Sequence, residues 1–415
     1  MSEKLAIAGG TPVRSGEYGP QHIFGEDDVE AVAEVIRSGF LGKGPKVREF
    51  EAAWAARHGV KHAVTATSGT AAMHVAAGAL DLDPGDEIIT TPITAGGSII
   101  GLLFQNCVPI FADVDETYNI DPTDVEAKIT SRTRAIWVTH LYGNPCDMDA
   151  LRAIADKHDL YLVEDCCHAP LAEYKGQIVG TLGDIGGFSF GGKHLSGGVG
   201  GAVVTDNESL WERAVIFSDV ALPRAKGPWE DRPYQHYFLA PNYRMSDLTA
   251  AVLLSQLSKL EDYVENKVRA AKNINAGIAD VEGIVPQPVR PDDRSTYWVW
   301  GATLSEGAFT CSAQEFVDAL VAEGLSDFLG PRGVNGRAAL MNNNPFLSEP
   351  HLYGRSHTPL DIGRNRPYDY KKVSLPVAED IARRRIFFQV RPTYTEDDVG
   401  DIIYAIRKVA IHYQT

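Results

Sequence analysis

The chain has 415 residues, 44% hydrophobic and 23% charged, which is ordinary globular composition and enough length for a large core and two domains. A formal net charge of -16 makes the average surface repel a nucleic-acid backbone or an anionic membrane, so neither partner is expected. The opening MSEKLAIAGGTPVRSG has no basic segment followed by an apolar one and no run able to span a bilayer, so a cytoplasmic protein is expected.

In chain order, residues 26–38 place Val29, Val32 and Ile36 at helical spacing before Gly39, and a second amphipathic helix is expected over 47–57. The LGKGP turn between them forces a bend. From His62 onward short apolar runs alternate with helical ones, the pattern of a mostly parallel sheet with helices on both faces. Strands are predicted at 62–67, 87–91, 108–113, 135–140, 160–165, 185–190 and 201–205. The segment 241–247 is predicted to cap a long helix that continues to about Lys272, followed by a smaller α+β domain with loops at 285–295 and 342–345. The expected organisation is an arm over residues 1–23, a large doubly wound α/β domain over 24–272 and a small α+β domain over 273–415.

In such sheets ligands collect at the carboxyl ends of the strands. Ser68, Gly69 and Thr70 follow the first strand and open a helix, a place for a phosphate, although Ser or Thr there is also the commonest plain N-cap. Asp165 ends an apolar run, where a carboxylate is costly unless something cationic meets it. His140 ends another strand and reads as a satisfied core or rim histidine. The five cysteines are odd in number and lack a CxxC pair, so neither disulfides nor a zinc site is expected; Cys166 and Cys167, adjacent on a strand end, point to opposite faces.

The segment GDIGGFSFGGKHLSGGVGGAVVTD (183–206) sets one lysine, Lys193, between an apolar strand and a glycine-rich turn. A lysine desolvated among apolar strands is a nucleophilic amine at neutral pH. With a carboxylate about thirty residues upstream and a Ser-Gly-Thr helix start, it forms the set that pyridoxal phosphate requires: an amine for the imine, a partner for the pyridine nitrogen and a phosphate cradle.

Four segments, TSGTAAMH (67–74), VEDCCHA (163–169), YKGQIVGTLGDIGGFSFGGKHLSGGVGGAVVTDN (174–207) and NYRMSDLTAA (242–251), resemble the DegT/DnrJ/EryC1/StrS sugar aminotransferases, a branch of the fold-type I pyridoxal phosphate transferases. The opening AGGTPVR resembles the subgroup acting on keto-cyclitols, the scyllo-inosose aminotransferases. The resemblance implies an enzyme that carries an amino group from glutamine or glutamate to a keto-sugar or keto-cyclitol, with pyridoxamine phosphate as the intermediate form of the cofactor. It implies that Lys193 joins the cofactor, Asp165 faces the pyridine nitrogen and His168 contacts the ring. Ser68, Gly69, Thr70 and Ser189 match phosphate contacts. Asn242 matches an asparagine that reaches the phosphate of the other subunit, hence a homodimer with shared sites.

Two departures from the family pattern stand out. Only Gly191 and Gly192 separate Phe190 from Lys193, so counting from the left lands on His194, and a histidine at that position marks the related sugar dehydratases. Counting back from Gly200 and Gly201 restores Lys193, and a glycine pair absorbs a deletion easily. Ala95 stands where relatives carry an aromatic residue that stacks on the pyridine ring. A dehydratase of the same fold is therefore the alternative, and a ligand-binding regulator without turnover is a third reading.

Overall fold

The computed structural model describes residues 3–224, 227–331, 340–349, 352–354, 356–364 and 366–415. Met1 and Ser2, which begin the expected arm, lie outside the described residues. Helices α1 (Glu26–Ser38) and α2 (Pro45–His58) lead into strands β1 (His62–Ala66), β2 (Glu87–Thr90), β3 (Val108–Phe111), β4 (Thr133–Thr139) and β5 (Tyr161–Asp165). A short hairpin, β6 (Glu173–Tyr174) and β7 (Gln177–Ile178), comes before β8 (Ile185–Ser189) and β9 (Gly201–Thr205). The connecting helices are α3 (Gly69–Ala79), α4 (Gly96–Phe104), α5 (Pro122–Ala127), α6 (Met148–His158) and α7 (Glu208–Phe217).

Seven of these strands form one sheet in the order β1-β9-β8-β5-β4-β2-β3. Only β9 runs antiparallel to its neighbours, so the expected mostly parallel sheet is what the chain builds. Its strands are buried almost throughout, as a sheet covered on both faces must be. Helix α3 is nearly all alanine, glycine and other small residues because it is packed from several sides: a Cβ on Gly78 would meet the Phe217 ring at 2.3 Å, and one on Gly101 of α4 would meet the His74 backbone at 2.7 Å. The Asp247 carboxylate accepts from Gly44 N at 2.8 Å and Val47 N at 3.0 Å, which fixes the LGKGP turn against the start of a later helix.

That later helix differs from expectation. The apolar stripe is carried by two helices, α8 (Asp247–Leu257) and α9 (Leu260–Gly277), not by one. The break falls where Ser258 Oγ donates back to Ser255 O and Lys259 turns to Asp27 (2.7 Å) and Asp28 (3.0 Å), local bonds that compete with helix continuation.

The rest of the chain forms a second, antiparallel sheet from β10 (Ile284–Pro286), β11 (Val299–Leu304), β12 (Phe328–Leu329) and β13 (Arg385–Gln389), in the order β10-β11-β13-β12. It is accompanied by α10 (Ala313–Ala322), α11 (Pro345–Ser348), α12 (Pro376–Arg384) and α13 (Glu396–Tyr413). Two expected loops hold structure. Val285 pairs with Thr303, and Pro286 is tolerated because β10 is an edge strand. Asn344 and Pro345 start α11, with proline at the first helical position, where its missing N–H costs nothing.

The amino-terminal segment is held on the small sheet's helices. Buried Glu323 accepts from Ala6 N at 2.8 Å and Val13 N at 3.2 Å and pairs with Lys408 at 2.9 Å, while Arg14 reaches Asp398 at 2.7 Å. Among the described residues no helix is long and apolar enough to cross a membrane.

Candidate active site

The carboxyl end of β5 carries two acidic residues with opposite surroundings. Glu164, fully buried, accepts from the backbone N–H groups of Gly180 (2.7 Å), Leu182 (2.8 Å) and Gly183 (2.6 Å). It also accepts from His140 Nε2 at 3.0 Å; His140 Nδ1 is the acceptor for Cys146 N, which leaves the ring proton on Nε2. Cys166 lies with His140 and Glu164 close enough to hold a metal ion, but the imidazole nitrogens are both engaged and the carboxylate carries four donors. This is a closed structural knot that uses His140 as a satisfied core histidine.

Asp165 is also buried, at 3% exposure, but among the described residues it makes no ion pair. Its Oδ1 accepts from Cys167 N at 2.9 Å, and the Cys167 thiol bonds to the same carboxylate. Among the described residues no cation meets it. The two cysteines do face opposite ways, Cys166 toward Glu164 and Cys167 toward Asp165, and burial pushes both thiols far above their ordinary range, so they stay protonated and inert.

On one side of β5 runs β8, and its end brings Ser189 to the start of α3. A Cβ on Gly69 would stand 2.5 Å from Ser189 Cβ, so only glycine permits that approach. Ser68 is a true N-cap, its Oγ accepting from Ala71 N at 3.1 Å. Among the described residues the amides of Gly69 and Thr70 have no acceptor, as expected for the first turn of a helix. Thr70 in turn faces Gly97 at the start of α4, where a Cβ would meet its Oγ1 at 2.5 Å. Ser68, Gly69, Thr70 and Ser189 thus share one cradle with free N–H groups. Ala95 is the exposed N-cap residue of α4.

The lysine turn follows β8, with Gly192 at φ +73° immediately before Lys193, a conformation a side chain would strain. Lys193 is half-buried, less enclosed than its sequence surroundings imply, because Gly191 and Gly198 open the turn to solvent. Its Nζ lies 5.1 Å from the centre of the Trp298 ring, and Trp298 packs on His168 with ring centres 4.1 Å apart. His168 is buried, and desolvation, then the nearby Lys193 charge, holds it well below the ordinary histidine range. His194 points the other way. It is fully buried, its Nε2 donates to Thr296 O at 2.9 Å, and desolvation followed by Lys267 keeps it neutral.

Asn242 lies apart from this group: it is exposed, bridges to Asp219, and its Oδ1 accepts from Arg244 N at 3.4 Å. Two residues beside the lysine were not visible in the sequence. Trp298 sits in the run STYWVW, which reads only as a strand, and His22 lies in the amino-terminal arm yet bonds to the Lys193 backbone.

A large, mostly parallel sheet with a helix start and a lysine turn at its carboxyl edge, beside a smaller antiparallel domain, is the α/β architecture of the fold-type I transferases. The DegT/DnrJ/EryC1/StrS aminotransferase family matches residues 22–327, and the chain belongs to that family of enzymes. It is similar to a Streptomyces paromomycinus protein named L-glutamine:2-deoxy-scyllo-inosose aminotransferase, 35% identical over a 433-position alignment that covers 99% of each chain. Among solved structures it resembles S. venezuelae DesV in complex with a ketimine intermediate, with a TM-score of 0.79 and 30% identity over 93% of this chain and 94% of that one. It shares its fold with a GDP-4-keto-6-deoxymannose-3-dehydratase, TM-score 0.80 and 21% identity, covering 94% of this chain and all of that one.

Proposed function

We propose that the protein uses pyridoxal 5'-phosphate to move an amino group from glutamine or glutamate to a ketone on a cyclitol or sugar. The observation that carries this reading is Asp165: a buried carboxylate that makes no ion pair among the described residues, at the end of the strand beside the one whose end meets the amide cradle and leads into the lysine turn. A protonated pyridine nitrogen is the cation Asp165 lacks, and a phosphate is the anion the first turn of α3 accepts, so the residues fit the cofactor at both ends. The cyclitol class of acceptor is supported by the name of the 35% identical relative, which aligns over 99% of the chain.

When bound, the cofactor supplies an electron sink that lets a proton leave the carbon next to the donor amine. Asp165 holds a proton on the pyridine nitrogen, and its burial strengthens that interaction by excluding water. Ser68, Gly69, Thr70 and Ser189 hold the phosphate. His168, kept neutral, would contact the ring without competing for the Asp165 charge. Lys193 would hold the cofactor covalently, and once the donor's amine has displaced it from that bond the freed lysine amine would be the base that takes the proton from the donor carbon and hands it on.

His194 is poorly placed for that work, since its ring proton is committed to Thr296 O and no part of it is exposed. This favours transamination over dehydration. Asn242 completes the phosphate site of a second copy in a homodimer. Exposed Val199 beside the lysine turn and Leu239 beside Asn242, 62% and 96% accessible in the single chain, support a covering subunit there.

Glutamine or glutamate alone is expected to convert the bound cofactor to its pyridoxamine form with release of the matching keto acid. Lys193→Ala abolishes the conversion and His194→Ala largely spares it. The reverse pattern makes the protein a dehydratase-like enzyme instead.

A further inference from the structure

The Lys193 amine has no carboxylate and no hydrogen-bond acceptor among the described residues; the group that faces it is the indole of Trp298, with Nζ 5.1 Å from the ring centre. The indole is delivered from the other domain, one residue ahead of β11. Three features fix it there. Tyr297, just before it, is held at φ +45°, a left-handed conformation that a bulky residue adopts only under constraint. The Trp298 carbonyl accepts from Val390 N at 3.1 Å, tying it to the end of β13. Its ring packs on buried His168 at 4.1 Å.

We propose that Trp298 is a positioning residue for Lys193: its aromatic face seats the ammonium form of the lysine whenever the amine is not joined to the cofactor. The proposal rests on the reading of Lys193 as the cofactor's lysine. The choice of an aromatic face follows from what the amine must do. A lysine that takes a proton from a carbon and later returns it becomes an ammonium in between, with no atom lost or gained beyond that proton. A carboxylate at the same place would hold the ammonium strongly and leave a poor base. A ring quadrupole attracts the cation weakly and contributes nothing to the neutral amine, so it steadies the loaded base without trapping it. The neighbouring imidazoles, His22, His168 and His194, are uncharged at neutral pH through burial and do not repel the seated ammonium.

The test uses full-length protein freed of cofactor and treated with trinitrobenzenesulfonate over a pH series, with modification of the Lys193 peptide read by mass spectrometry against exposed Lys372 as reference. In Trp298→Leu the Lys193 profile is expected to move to lower pH, so that labelling at pH 7.5 rises about two- to tenfold, while the plateau at high pH stays where it was. Trp298→Phe, which keeps an aromatic face, is expected to restore most of the original profile. An unmoved profile in the leucine variant overturns the seat. So does a raised plateau with no movement along the pH axis, since that reports only better access. Loading both proteins with pyridoxal phosphate and reducing with borohydride separates the two ideas: failure to label Lys193 removes the functional reading, whereas the pH profile alone decides the seat.

Discussion

Glu164 and Asp165 are consecutive carboxylates on one strand, both buried, yet they sit in opposite chemical situations. Glu164 faces a side where three backbone amides and a neutral imidazole have been arranged around it. Asp165 faces the carboxyl edge of the sheet with one amide and one thiol. A buried carboxylate is costly unless its charge is met; four donors meet the first, and among the described residues only the amide and thiol of Cys167 meet the second. Alternation along the strand gives two consecutive carboxylates opposite surroundings.

The comparison predicts two different kinds of failure. Asp165→Asn is expected to fold normally and bind cofactor while losing several orders of magnitude in turnover, because the amide cannot hold the pyridinium proton and each pKa unit is worth about 1.4 kcal/mol. Steady-state kinetics beside a thermal melt check this; near-normal turnover means that another group faces the nitrogen. Glu164→Gln should do the reverse. Weakening charge-assisted bonds to buried amides costs about 2–4 kcal/mol of stability, measured by denaturant unfolding, with kcat little changed in the protein that remains folded.

Lys267 sharpens the rule with a buried cation. It is fully enclosed on α9, donates to Val390 O, and desolvation, aided by Arg391, brings it from 10.5 down to about 7. The unfolded chain therefore binds a proton between pH 7 and 10.5 that the folded chain does not, so this group makes stability rise with pH across that window. Lys267→Met is expected to melt about 2–5 °C higher than the parent at pH 7, with the gap shrinking as pH approaches 10.5. A gap independent of pH means that Lys267 stays charged in the fold.

The sheet was legible because its strands are short apolar runs bounded by turn residues, and the observed strands match those runs to within one or two residues. The start of α3 was legible for a similar local reason, since a Ser-Gly-Thr helix start announces itself. What the sequence could not show depended on distant segments. The split between α8 and α9 is set by Lys259 meeting Asp27 and Asp28, far upstream. The lack of a cation at Asp165 among the described residues is a property of everything around it. Trp298 reaches Lys193 from another sheet, more than a hundred residues later, through a backbone twist at Tyr297 that leaves no mark in composition. His194 could be weighed against Lys193 only by counting through glycines, and its carbonyl bond to Thr296 argues the matter on geometry.

The most direct measurement is the site of covalent attachment. Protein loaded with pyridoxal phosphate and reduced with borohydride should carry the cofactor on one peptide, the one containing Lys193, and Lys193→Ala should carry none. Attachment at Lys175, whose exposed amine pairs with Asp149, or no attachment at all, would contradict the account.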